Sequence, residues 1–391
     1  MKRILLSLLV VLNYSINAQC DGRYNEEIFE EVSASTVTYS DVHNLELDIY
    51  QAEGDTATNR PLLILAHGGS FITGTRVNPS MVTLGQTFAK RGYVVASISY
   101  RLMNAWDLLN AESALNGVAK ALSDGRSAVR YFRKTVDLEA NPYRIDEGQI
   151  YFGGNSAGGV IAVHAAFMQE EDITDPALLA ALNALGGIEG DSGNEGYSSE
   201  VRGAISLAGA AANVNFISIE ENHKLLISCH GDADSTVPYD CGQPLEIDAL
   251  PQLCGGGAML AHTEEIGFTN HKHLLFEGAG HVPWEFAGES QDEMINFVSE
   301  NLYNALDCTS IGLEEVTIEE VVVYPNPTTG VFTFENKQPV ALVNVFNLNG
   351  VHALQAENSN TVNIQDLPKG VYLVEMIDVN QHKSYTRIVK M

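Results

Sequence analysis

Gln149-Ile150-Tyr151-Phe152-Gly153-Gly154-Asn155-Ser156-Ala157-Gly158-Gly159 is the stretch that decides the fold. Gln149 to Phe152 has the apolar pattern of a short buried strand, and the pattern from Val160 to Met168 is helical. Between them the chain must turn sharply. Small residues two before and two after Ser156 let the backbone bend tightly enough to lift the hydroxyl above a sheet, the geometry of a nucleophile elbow. The serine then stands at a helix N-terminus, where free N–H groups and the helix dipole favour the negative charge that develops when a carbonyl is attacked.

Three more segments point to the same place. Pro61 to Ala66 reads as a buried strand and leads into His67-Gly68-Gly69-Ser70-Phe71, a loop of small residues whose N–H groups suit an oxyanion hole. Leu225 to Ser228 ends in His230-Gly231-Asp232-Ala233-Asp234, and Lys272 to Phe276 ends in Gly278-Ala279-Gly280-His281. Each strand delivers chemistry at its C-terminal end, the edge of an open parallel sheet where ligands bind. The expected class is α/β with a mostly parallel sheet, and the order Ser, Asp, His is that of the α/β-hydrolase fold.

From about Thr36 to Leu306 the chain resembles a carboxylesterase-type α/β-hydrolase, of the esterase and lipase group that carries HGG(G/S)F, SxxYR and G(N/D/E)SAGG. The matching residues are His67 to Phe71, Ser97 to Arg101 and Gly154 to Gly159. The resemblance implies Ser156 as nucleophile, His281 as general base, Asp232 or Asp234 as the acid that orients it, and the N–H groups of Gly69, Ser70 and Ala157 as the oxyanion hole. Ser70 departs from the glycine common in such loops, which keeps the backbone donor and adds a hydroxyl. The family spacing HGxxDxxVP falls on Asp234-Ser235-Thr236-Val237-Pro238, favouring Asp234 and leaving Asp232 to cap a turn. The implied chemistry needs no metal or organic cofactor. His67 and His230 read as loop-holding residues, and His262, His271 and His273 have no partner at metal-ligand spacing.

Lys2 and Arg3, the apolar run Ile4 to Leu12 and the polar stretch to Ala18 read as a signal peptide cut after Ala18. Its apolar core is too short to span a membrane, and Gln19 argues against a lipid anchor on Cys20. The formal net charge of −28 argues against nucleic acid and anionic membrane surfaces as partners. Five cysteines in an exported chain suggest disulfides with one thiol left over. Cys229, in a buried-strand pattern, is the expected free one. Cys241 with Cys254, and Cys20 with Cys308, are the expected pairs.

After the helical pattern Asp292 to Leu306 the composition changes. The expected organisation is a signal peptide (1–18), a hydrolase domain (19–308), an acidic linker (309–320) and a small β-sandwich (321–391). Strand patterns fall at Val331 to Phe334, Leu342 to Phe346, Thr361 to Ile364, Val371 to Met376 and Tyr385 to Val389. Tyr324-Pro325-Asn326-Pro327-Thr328-Thr329-Gly330, Leu367-Pro368-Lys369-Gly370-Val371-Tyr372 and the terminal Arg387-Ile388-Val389-Lys390 resemble the type IX secretion C-terminal sorting domain. That resemblance implies the secretion machinery as partner and a secreted or cell-surface product.

Gln169 to Glu200, with a short apolar helix over Ala177 to Leu185 and an acidic, Gly-rich loop over Gly186 to Ser199, is expected to cap the catalytic edge and to disfavour anionic substrates. Trp106 and Trp284 are candidate stacking contacts, Trp284 alternatively packing beneath the His281 loop. The expected activity is cleavage of neutral carboxylic esters, acyl groups on polysaccharides among them. A prolyl oligopeptidase-type peptidase is the first rival, disfavoured because only about 40 residues separate the signal peptide from Pro61, too few for a propeller. A noncatalytic binding protein is the second, disfavoured because no triad residue is lost.

Overall fold

Alternate residues of Leu62-Leu63-Ile64-Leu65-Ala66 enter two different cores: Leu62, Ile64 and Ala66 pack in one, Leu63 and Leu65 in the other. A strand buried on both faces in this way belongs at the centre of a sheet covered by helices on each side. The computed structural model describes residues 22–306, 323–334, 340–347, 352–357, 359–378 and 383–391. These fall into two compact units divided between residues 308 and 309. The signal peptide with its cut after Ala18, the Cys20–Cys308 pair and the 309–320 linker lie outside the described residues.

In the first unit the strands are β1 (Val32–Ser40), β2 (Leu45–Ala52), β3 (Arg60–Ala66), β4 (Val94–Ile98), β5 (Ile145–Asn155), β6 (Gly203–Leu207), β7 (Leu225–Gly231), the short pair β8 (Cys241–Gly242) and β9 (Leu253–Cys254), and β10 (His271–Phe276). The helices are α1 (Pro79–Lys90), α2 (Ala111–Leu138), α3 (Ala157–Phe167), α4 (Pro176–Asn183), α5 (Gly256–Ile266) and α6 (Glu289–Ala305). The main sheet runs β1-β2-β4-β3-β5-β6-β7-β10. Only the β1–β2 and β2–β4 pairs are antiparallel. From β3 the chain steps to β4 on one side, then returns to β5 on the other and continues through β6, β7 and β10. The reversal between β3 and β5 is a topological switch point, where crevices form at the carboxyl ends of strands.

Helices α1 and α6 cover one face, with Met81, Leu84 and Phe88 in the same core as Met294, Val298 and Leu302. The other face carries α2 and α3, and every residue of α3 is buried. A helix buried all round needs no polar face, which its sequence, Ala157 to Phe167, lacks almost entirely.

The second unit adds β11 (Val323–Tyr324), β12 (Val331–Phe334), β13 (Val340–Asn347), β14 (His352–Glu357), β15 (Thr361–Asn363), β16 (Gly370–Asp378) and β17 (Lys383–Lys390). They form two antiparallel sheets, β11-β12-β15 and β14-β13-β16-β17, around Phe332, Phe334, Val343, Val345, Val374 and Ile388. This is a small sandwich. Among the described residues no helix is long and apolar enough to cross a membrane.

Candidate active site

Ser156, between β5 and α3, has φ 55° and ψ −117°, a conformation that side-chain-bearing residues rarely adopt. Holding it costs on the order of 1–3 kcal/mol, which the surrounding structure must offset. The flanking glycines explain how. A Cβ on Gly158 would lie 2.0 Å from the carbonyl oxygen of Ala66, and one on Gly154 would lie 2.3 Å from the backbone of Gly158. Neither position tolerates a side chain, so the turn is set by backbone packing between β3, β5 and α3. The Ser156 N–H donates to Leu207 O at 2.7 Å, tying the elbow to β6.

Strand ends bring the other groups to this point. His281 Nε2 lies 2.8 Å from Ser156 Oγ, and His281 Nδ1 lies 2.6 Å from Asp234 Oδ2. Asp234 follows β7 and its other oxygen, Oδ1, accepts the N–H groups of Thr236 (2.8 Å) and Val237 (3.0 Å). Burial alone would raise this carboxyl. Side-chain hydrogen bonds from His230 and His281, and the Val237 N–H, outweigh that and hold it far below the usual carboxylate range. Asp232 does something else: its Oδ1 accepts the Gly278 N–H at 2.6 Å, bracing the turn that leads to His281.

The loop after β3 faces the elbow. Gly69, Ser70 and Phe71 all have positive φ, at 118°, 53° and 60°. Gly69 O accepts the N–H groups of Ile72 and Thr73, closing a tight turn. Among the described residues the N–H groups of Gly69, Ser70 and Ala157 have no backbone acceptor. His67 holds the loop from beneath: its ring stacks on Tyr100 at 4.3 Å, its Nδ1–H donates to Gly68 O, and Tyr100 OH donates to His67 O. The SxxYR motif thus acts mechanically. Ser97 Oγ donates to Arg76 O at 2.7 Å, and Arg101 Nε donates to the buried Asp124 on α2 at 2.9 Å.

Ser156 opens onto an apolar cavity of about 300 Å³. Its walls come from α2 (Leu115, Val118), from α3 (Val160), from Ile173 and Leu178 before and within α4, and from Leu245 and Leu250 in the strap between β8 and β9. Cys241 and Cys254, bonded as expected, pin the strap at both ends, and Cys229 is free and buried. His164 also faces the cavity but is spent: its Nδ1–H donates to Val160 O and its Nε2 accepts the Ala212 N–H. Burial lowers it to about 4, so His164 itself stays neutral.

Two expectations for Gln169 to Glu200 require correction. The helix runs Pro176–Asn183, starting earlier because Asp175 caps it through the Ala177 N–H and Pro176 fits the first turn, and ending before Leu185. The acidic loop does not face substrate. Glu189 pairs with Arg126 and Arg130, and Asp191 with Arg101, so two of its three carboxylates are bound to arginines, and none of 186–199 lines the cavity. Only the part from Ile173 to Leu178 reaches the cavity. Trp284 is buried, donating from Nε1 to Asn155 Oδ1 at 3.2 Å, and so packs beneath the site. Trp106 is 81% exposed and lies outside the cavity wall. Among the described residues no group of histidine, cysteine or carboxylate side chains has metal-site geometry.

Sequence reasoning missed three supports. Asn155 is held by Trp284 and by Glu285, whose Oε2 accepts from Asn155 Nδ2 at 3.1 Å. Asp124 anchors Arg101, and His230 reaches Asp234. A mid-helix aspartate beside buried arginines was the available signal for Asp124. His230 opens the HGxxDxxVP stretch, which marked its place but not its contact with Asp234, and nothing in the local sequence marked Glu285.

The BD-FAE family model matches residues 47–184, a span that includes the His67 loop and Ser156 but stops before Asp234 and His281. The secretion system C-terminal sorting domain matches residues 322–391. A probable carboxylesterase 7 of Arabidopsis thaliana is 25% identical over 155 residues, 39% of this chain and 47% of that protein. The chain thus spans about half the length of the curated relative it matches. Among solved structures, the apo form of Thermogutta terrifontis esterase 2 aligns at 20% identity and TM-score 0.48, over 69% of this chain and 94% of that one. The same esterase phosphorylated by paraoxon aligns at 21% identity, TM-score 0.48, over the same shares. The first unit has an α/β-hydrolase fold, and the second matches a secretion sorting domain, which indicates export.

Proposed function

We propose that the chain is an exported serine hydrolase that cleaves esters of neutral, apolar carboxylic acids through an acyl-enzyme. One observation carries the reading: the unbroken contact from Asp234 through His281 to Ser156, at 2.6 and 2.8 Å, ending on a serine that lines an apolar cavity. In this mechanism His281 Nε2 takes the Ser156 proton as Oγ attacks the ester carbonyl. Asp234 holds the tautomer and stabilises the imidazolium, and the N–H groups of Gly69, Ser70 and Ala157 receive the oxyanion. His281 then returns the proton to the leaving alcohol. Water, activated by the same histidine, releases the acid.

The cavity supports a substrate class. It sits at the small end of small-molecule sites, about 300–1,000 Å³, yet is much larger than an acetyl group needs. The acyl group lies in it, and esters carried by polysaccharides are tested as alcohol partners. Each methylene buried gains about 0.8 kcal/mol, so kcat/KM is expected to rise by up to about fourfold per methylene from acetate until the cavity fills. The test is a series of p-nitrophenyl esters with methyl ferulate and acetylated xylan beside it, and fluorophosphonate labelling read by intact mass. Ser156→Ala should lose labelling and about a million-fold in turnover. Equal labelling of both forms sinks the assignment. The C-terminal unit serves export through the type IX machinery and takes no part in turnover.

A further inference from the structure

The orienting carboxylate is itself held by a second histidine. His230, at the end of β7, is 1% exposed, and its Nδ1 accepts the Gly256 N–H at 3.1 Å. A ring nitrogen that accepts carries no proton, so the hydrogen is on Nε2. That nitrogen lies 3.0 Å from Val237 O and 3.2 Å from Asp234 Oδ2. Oδ2 is the same oxygen that faces His281 Nδ1. The single Nε2 proton of His230 is donated to Val237 O and the nitrogen also stands close to Oδ2, while Thr236 and Val237 donate to Oδ1 of this fully buried carboxylate side chain.

The Gly255-Gly256 pair makes this possible. A Cβ on Gly256 would meet His230 Cβ at 2.9 Å, and one on Gly255 would meet Pro238 O at 2.0 Å. Their absence lets the N-terminus of α5 close on the ring. The N–H at that helix end polarises the imidazole and makes Nε2–H the better donor. Without His230, Val237 O loses its donor and Oδ2 loses a close polar neighbour, so both the Val237 segment that holds Oδ1 and the carboxylate itself are less firmly placed.

We propose that His230 is a positioning residue that fixes the Asp234 carboxylate so that Oδ2 stays on His281 during turnover. The inference rests on the triad reading above. Its effect belongs in kcat, since the geometry it holds concerns proton transfer and not the cavity.

The test compares His230→Phe, which removes the donor, His230→Asn, which retains an acceptor for Gly256 but does not reach Asp234, and His230→Gln, which restores a donor near Nε2. Turnover of p-nitrophenyl butyrate, the far-downfield proton resonance of the His281–Asp234 hydrogen bond, and melting temperature are read on each. Losing the His230 contacts to Val237 O and Asp234 Oδ2 predicts a fall in kcat of about tenfold for Phe and Asn with KM within about twofold. The resonance should shift or broaden in both, and Gln should recover most of kcat. In an Asp234→Asn background, His230→Asn should cost no further kcat, because the two act as a unit. A His230→Asn enzyme with normal kcat and an unmoved resonance overturns the proposal. So does a full tenfold loss that persists in the Asp234→Asn background. A wild type that labels at Ser156 and turns over keeps the esterase reading whichever way these variants behave.

Discussion

Beside the site, a chain of hydrogen bonds makes the fold sensitive to acid. Thr263 Oγ1 donates to Leu260 O, so it accepts from His271 Nδ1–H at 2.8 Å. His271 Nε2 then accepts the Ser228 hydroxyl at 2.7 Å, Ser228 accepts His273 Nδ1–H at 2.7 Å, and His273 Nε2 accepts Tyr239 OH at 3.1 Å. Every proton runs one way. A second proton on His271 would point at a hydroxyl already committed. Burial, then the neighbouring His273 and Lys272, lower His271 from 6.5 to about 3. The sign follows: below 6.5 the unfolded chain binds a proton the folded chain refuses, so this stability is complete above 6.5 and is lost as pH falls. Between about pH 6.5 and about pH 5 the loss is roughly 2 kcal/mol at about 1.4 kcal/mol per unit. Urea unfolding at about pH 7.5 and about pH 5 measures it, with His271→Gln as the non-titrating comparison. The variant should lose about 2 kcal/mol less than wild type across that interval, whatever its stability at the higher pH. Equal losses in the two proteins would refute the argument.

Asp234→Asn should lower turnover by about ten-thousand-fold at nearly unchanged melting temperature, and Asp232→Asn far less; kcat on a short-chain ester decides, and the reverse pattern exchanges the two roles. Opening the Cys241–Cys254 bond by replacing both with serine should cost about 3 kcal/mol in urea unfolding. Because the strap walls the cavity, the same change should raise KM for longer acyl chains more than for acetate, and a uniform KM would count against that placement. Leu178→Phe fills the cavity from the α4 side and should move the preferred acyl chain shorter with acetate turnover kept, as read from the p-nitrophenyl series.

What was legible in the sequence is what local sterics dictate. The elbow could be read because Gly154 and Gly158 sit where a Cβ would collide with backbone, and that requirement leaves its mark within five residues. The contact of Asp234 with His281 was legible in spacing, because its carboxylate accepts from residues two and three positions on. The acidic loop misled because composition carries no partner. Its charges answer Arg126 and Arg130, four apart on α2 and buried, and only the fold brings the two segments together. His230 was read as holding loop conformation, and its link to Asp234 depends on Gly256, 26 residues away.

The same long-range dependence joins specificity to catalysis. Leu245, in the strap, lines the cavity and donates its N–H to Thr236 O at 2.8 Å, while Thr236 donates its own N–H to Asp234 Oδ1 at 2.8 Å. Leu245 also holds φ at 58°, so the strap keeps this shape only because its ends are fixed. One of those ends, Cys254, pairs in addition with Ala211 beyond β6 through two backbone hydrogen bonds of 2.9 Å. Pressure from an acyl group on Leu245 is therefore transmitted in two steps to the carboxylate proposed to orient His281, whereas pressure on Leu178 meets α2 and the aliphatic core. The two walls of one cavity are unequal for this reason. Changes on the α4 side should alter only which acyl chain fits, and changes on the strap side should alter both that fit and the alignment of the proposed triad.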